Sequence, residues 1–148
     1  MAAKKMAIIA TKGALDMAYP PLILASTAAA LGWEVQIFFT FYGLQLLRKD
    51  LSGIAISPIG NPAMPMPVPM PVVVAMLPGM EAMATSMMKA KMKKKGVASL
   101  EELRSLCQEA EVKFIACQMT VDLFEFSKSD FIDGIEYGGA ATFMKFAG

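Results

Sequence analysis

Residues 112–116 form a short apolar run that ends on Cys117, and a helical pattern begins a few residues later. Such a run reads as a strand buried on both faces, the kind found in parallel sheets. Thr120 is a good N-cap type and Asp122 falls in a first turn, so the next helix is placed at 120–126. Cys117 is thereby predicted at the carboxyl end of a strand, facing the start of a helix. In open α/β sheets that edge is where ligands bind. A thiol there feels the partial positive charge of the helix start, which favours thiolate.

The rest of the chain supplies partners for that strand. Residues 6–10 read as the first strand, 33–40 as the second, 54–57 as a weak third, and 131–135 lead into a last short one. Between the first two, a helix starts somewhere between Asp16 and Pro21, and the rule that proline sits only in a helix's first turn puts its regular part at 21–31, stopped by Gly32. Residues 41–48 fit a short second helix. Strand and helix alternate, which implies parallel strands joined by right-handed crossovers.

The alternation breaks at 61–79. Pro62, Pro65, Pro67, Pro69 and Pro71 forbid helix and central strand, yet the stretch is apolar, with Met64, Met66, Val68 and Met70. It reads as an extended segment laid over an apolar surface, too broken by proline to span a membrane. Residues 79–95 return to helical spacing, with Met80, Met83, Ala84, Met87, Met88 and Met92 as one stripe and lysines at the carboxyl end. Ser99 and Glu102 make a capping box for a helix whose Leu103, Leu106, Cys107 and Ala110 point to the core. Gly138 and Gly139 open a last short helix.

Composition removes several chemistries. There is no histidine, so Ser-His-Asp and Cys-His catalysis are excluded within one chain and a metal site is not expected. Two cysteines ten positions apart do not make a disulfide scaffold, which makes a reducing cytoplasm the default. The start reads as a strand and not as a signal peptide. A formal charge of +1 gives no field for nucleic acid, while 55% apolar residues suggest burial against another subunit. At 148 residues, one domain over 1–148 is expected, with the Pro/Met-rich insertion and amphipathic helix at about 58–96.

Each candidate residue has two readings. Cys117 is either a reactive thiol or a buried small hydrophobe, and Asp122 would oppose thiolate if it faced the sulfur. Cys107, on an apolar helix face, reads as structural, with a resolving partner for Cys117 as the other reading. Lys12, Asp16 and Tyr19 follow the first strand at the same edge as Cys117; they either line a shared pocket or serve as a cap and solvated surface. The methionine-rich helix fits a core or subunit interface, an adaptable partner surface, or an anionic membrane.

Three stretches resemble the DsrE/DsrF-like family of small sulfur-relay proteins, in its peroxiredoxin-like branch. They are Ile8-Ile9-Ala10-Thr11-Lys12-Gly13 through Asp16-Met17-Ala18-Tyr19-Pro20-Pro21, then Phe38-Phe39-Thr40-Phe41-Tyr42-Gly43, then Ala116-Cys117-Gln118-Met119-Thr120-Val121-Asp122. The last, Cys-x-Met-x-x-Asp, is the most specific. The resemblance implies an α/β fold, a three-layer α/β/α sandwich with a mostly parallel five-stranded sheet. It implies a homo-oligomer, trimer or hexamer, and a persulfide on Cys117 exchanged with a TusA-like or rhodanese-like sulfur carrier. No cofactor and no nucleic acid are expected; peripheral membrane contact is. The alternative is a non-catalytic binding or assembly module whose apolar insertion docks a partner or membrane.

Overall fold

The computed structural model describes residues 4–54 and 79–148. Four strands pair in parallel in the order β1 (Lys5–Ala10), β2 (Glu34–Phe39), β3 (Lys113–Cys117) and β4 (Glu136–Gly138). The register sets Ala10 beside Phe39, Phe39 beside Ala116, and Cys117 beside Gly138, so the carboxyl ends meet along one edge. The sheet thus has four strands among the described residues where five were expected. Ile54 is not in a strand, and the rest of the expected third strand lies outside the described residues, as does the proline-broken stretch at 61–78.

Alternation along the strands builds two cores of unequal size. Ala10, Val35, Ile37, Phe39, Phe114 and Ala116 face one side. There they meet α1 (Leu15–Ala30) and α3 (Leu100–Glu109), through side chains such as Leu22, Ala25, Leu103 and Cys107. Burying a side chain such as Leu22 contributes about 1.5–3 kcal/mol. Phe38, Ile115 and Cys117 face the other side, against Phe143 of the short carboxyl-terminal helix α5 (Ala140–Ala147). Helices on both faces make the three layers. The second face is thinly covered: Ile9 of β1 is 58% exposed.

Several local expectations are corrected. Helix α1 begins at Leu15 and carries Pro20 and Pro21 inside it. The amide bonds those prolines omit would have run to the first helical turns, and burial of Leu15, Ala18 and Tyr19 offsets the loss. Its end is as expected: Gly32 at φ +85 donates to the Ala29 carbonyl, and Trp33 to that of Ala28. The second helix is a 3-10 segment, Phe41–Leu47, with Leu44, Leu46 and Leu47 buried. The methionine stripe of α2 (Met80–Lys94) divides: Ala84, Met88 and Met92 lean on the main core, while Met83 and Met87 are exposed.

Ser99 caps α3 by accepting from the Glu102 amide at 3.2 Å. Leu106 and Ala110, toward the carboxyl end of that helix, are exposed, not core-facing. Arg104 is buried in their stead. Its guanidinium donates to the carbonyls of Leu46 at 2.9 Å and Arg48 at 2.6 Å, which ties α3 to the end of the 3-10 segment. Phe131 forms only an isolated antiparallel bridge to Arg48, and the last strand begins later, at Glu136.

Candidate functional site

Cys117 is the last residue of β3 and also the residue that caps α4, Gln118–Leu123. The helix therefore starts earlier than the sequence suggested. Thr120 is not its cap but sits one turn in, fully buried. This brings the Thr120 side chain back toward the strand end it came from. Its Oγ1 lies 3.1 Å from Oγ1 of Thr40, the residue that follows β2, and accepts from the Phe41 amide at 3.3 Å.

The sulfur does not close the helix cap with a hydrogen bond of regular geometry. A large, soft acceptor, it draws weaker contacts from several donors. Burial pushes the Cys117 thiol up. Hydrogen bonding from the Thr120 hydroxyl and amide, the Thr40 hydroxyl and the Met119 amide outweighs this and leaves it below the ordinary thiol value of 9.0. At Cys107 burial outweighs a backbone hydrogen bond at Ser26 that acts in the lowering direction. Its thiol donates to the Leu22 carbonyl at 3.3 Å, and desolvation pushes it up to about 11.

Access to Cys117 is narrow, for the residue is 5% exposed. It shares its cluster with Phe38, Ile115 and Phe143, and the Phe38 and Phe143 rings stack at 5.3 Å. Around the same edge stand Phe41, Tyr42, Met119 and Leu123, all exposed, with the Phe41 and Tyr42 rings against Phe124 at 6.2 and 5.9 Å. Phe143 is the part of this cover that can leave without unmaking the sheet. Removing such a ring withdraws about 3 kcal/mol of packing. We expect Phe143→Ala to raise the rate at which iodoacetamide alkylates Cys117 by about tenfold, through a larger open population. An unchanged rate would mean that the thiol is reached from the Met119 side.

The other residues singled out in the sequence are dispersed. Tyr19 belongs to the α1 core across the sheet from Cys117. Its hydroxyl donates to the Ala98 carbonyl at 2.9 Å beside a cavity of about 360 Å³ that Leu15 and Met92 also line. Burial, then Glu101 and Glu102, raise its titration. Lys12 is exposed in the turn after β1, and Asp16 is half-buried in the first turn of α1. Asp122 is exposed and accepts from Gln118 Nε2 at 2.8 Å, so its charge is engaged along its own helix. Of the supporting residues expected, the structure brings Thr120 to the sulfur. Thr40 was missed. Its signal was available: in a parallel sheet, residues that follow adjacent strands share an edge. Among the described residues, no group of three or more histidine, cysteine or acidic side chains is placed to hold a metal.

Comparison with known proteins agrees with this architecture. The chain is 68% identical over 152 aligned positions to a protein of Allochromatium vinosum called sulfur carrier protein DsrE2, covering all of this chain and 95% of that one. It is 34% identical over 146 positions to a Bacillus subtilis protein called YrkE, covering 95% of this chain and 89% of that one. The sequence model of the DsrE/DsrF/DrsH-like family matches residues 2–148. On its full-length match and these relatives, the chain belongs to the DsrE/DsrF/DrsH-like family.

Proposed function

We propose that this protein is a sulfur carrier that holds sulfane sulfur as a persulfide on Cys117. The observation that carries the reading is the position of that thiol: at the carboxyl edge of the sheet, among two threonine hydroxyls and two amides that favour its charged form. The name of the Allochromatium vinosum relative supports it. In the loading step the Cys117 thiolate attacks the outer sulfur of a donor persulfide. A bond forms between the two sulfurs, the donor's own S–S bond breaks, and the donor leaves as a thiolate that takes up a proton. No electrons are gained or lost overall, and no histidine, metal or cofactor is needed.

Unloading reverses the same step onto an acceptor. We assign a TusA-like or rhodanese-like sulfur carrier as the exchange partner, a homo-oligomer, trimer or hexamer, as the working form, and the cytoplasm as its place, with peripheral contact at a membrane. The exposed Phe41, Tyr42, Met119 and Leu123 beside Cys117 support docking of a protein at this edge. Among the described residues no helix is long and apolar enough to cross a membrane. We take residues 1–148 as one domain.

Incubation with a small persulfide donor, followed by intact mass, tests the reading: one added sulfur, ~32 Da, is expected, retained in Cys107→Ala and lost in Cys117→Ala. No adduct with several donors would sink it. The low exposure of Cys117 favours a second reading, a non-catalytic binding or assembly module, which predicts that outcome.

A further inference from the structure

We infer that Thr40 and Thr120 are positioning residues for the Cys117 sulfur: their paired hydroxyls always leave one hydrogen free to turn toward it when it carries charge. The inference deepens the sulfur-carrier reading and rests on it for its use, though not for its test.

The argument is a count of hydrogens. A hydroxyl has one hydrogen to give and two lone pairs to receive. Thr120 Oγ1 receives the Phe41 amide at 3.3 Å and stands 3.1 Å from Thr40 Oγ1. One of the two hydroxyl hydrogens bridges the pair, whichever residue donates. The other remains. The β2–β3 register, which pairs Phe39 with Ala116, brings Thr40 level with Cys117, and Thr120 lies three residues into the helix that Cys117 caps, so the sulfur is the neighbouring acceptor for that hydrogen. Reversing the donor between the threonines changes which hydroxyl serves the sulfur but never leaves it without one.

Two features fit this arrangement. A threonine in a helix commonly spends its hydrogen on a carbonyl one turn back. Thr27 of α1 does so, donating to the Ile23 carbonyl at 2.8 Å, and Ser26 donates to the same carbonyl at 3.0 Å. The hydrogen bonds of the Thr120 side chain run to Thr40 and Phe41 instead. Further, Phe41 holds the left-handed backbone conformation at φ +48, uncommon for an aromatic residue. That conformation accompanies an amide aimed at the Thr120 oxygen, and the strain sits beside the site it serves. In a chain without histidine, these hydroxyls stand where an imidazole would support a thiolate in other cysteine sites.

The test is the pH profile of Cys117 alkylation by iodoacetamide, read by peptide mass in the full chain, for wild type, Thr120→Val, Thr120→Ser and Thr40→Val. Valine keeps the shape and removes the hydroxyl. We expect Thr120→Val to move the midpoint up by about one pH unit and to slow alkylation at pH 7 about tenfold. Thr40→Val should move it in the same direction by less, and Thr120→Ser should restore most of the shift. The double valine variant should shift less than the two single shifts added, because the hydroxyls work as a pair. If both valine variants keep the wild-type midpoint, the inference is overturned; if Thr120→Val fails to fold, Thr40→Val alone decides it. Persulfide loading of the wild type, measured separately by intact mass, reports on the carrier reading. Loading with unmoved midpoints overturns only the hydroxyl pair, and shifted midpoints without loading overturn only the carrier.

Discussion

At pH 7, iodoacetamide should modify Cys117 at least about a hundred times faster than Cys107. Only the thiolate reacts, so the ratio follows first from the charged fractions. Cys107 titrates at about 11 and is about one ten-thousandth thiolate at pH 7. Cys117 lies below 9.0 and is at least about one hundredth thiolate. Access pushes the same way, because Cys107 is wholly buried between α1 and α3 whereas Cys117 has a small opening at the sheet edge. The pH dependence separates the two causes. Once the pH has passed 9, the Cys117 rate should level off as its thiol becomes fully ionised, while any Cys107 reaction keeps rising tenfold per unit up to about 11. Peptide mass after timed quenching measures both rates in one sample. Equal rates would mean that the hydroxyls and amides around Cys117 do not act on its charge.

That contrast between two cysteines was partly legible in the sequence. A short apolar run followed by a helical pattern placed Cys117 at a strand end, and the apolar spacing of 100–110 placed Cys107 in the core, because both inferences depend on periodicity alone. Thr120 was recognised as a residue of interest for the wrong local reason, as a helix cap. The helix actually starts at Gln118, since the chain turns directly out of β3, and that shift is what carries the Thr120 hydroxyl back to the sulfur. Thr40 was not found because its importance comes from the β2–β3 register, which the sequence does not print. Tyr19 was placed by its position after β1, which gives an edge but not a face; a helix from Leu15 turns Tyr19 into the main core, across the sheet from Cys117. Arg104 was overlooked for a related reason. Charge marks a residue as surface, and it is the end of the 3-10 segment, at Leu46 and Arg48, that supplies the carbonyls that let a guanidinium be buried.

The same register makes one glycine decisive for both fold and site. A Cβ on Gly43 would overlap the carbonyl oxygen of Ala10, the last residue of β1. That carbonyl also receives the Thr40 amide at 3.1 Å, and the Gly43 amide donates to the Thr40 carbonyl at 3.0 Å. Ala10, Thr40 and Gly43 therefore lock the 3-10 segment to the sheet edge with backbone atoms alone, and no side-chain rotation can make room. Gly43→Ala must push the segment outward. We expect a loss of about 2–4 kcal/mol in urea unfolding, from overpacking against backbone with two hydrogen bonds disturbed. Because Thr40 and Phe41 ride on the displaced turn, the Cys117 alkylation midpoint should rise at the same time, even under conditions where the variant stays folded. Gly53→Ala is the control, since a Cβ there meets open space, and its stability should stay within about 0.5 kcal/mol of wild type. A Gly43→Ala protein as stable as that control would refute the packing. One that loses stability but keeps the Cys117 midpoint would show that the threonine pair does not depend on this turn.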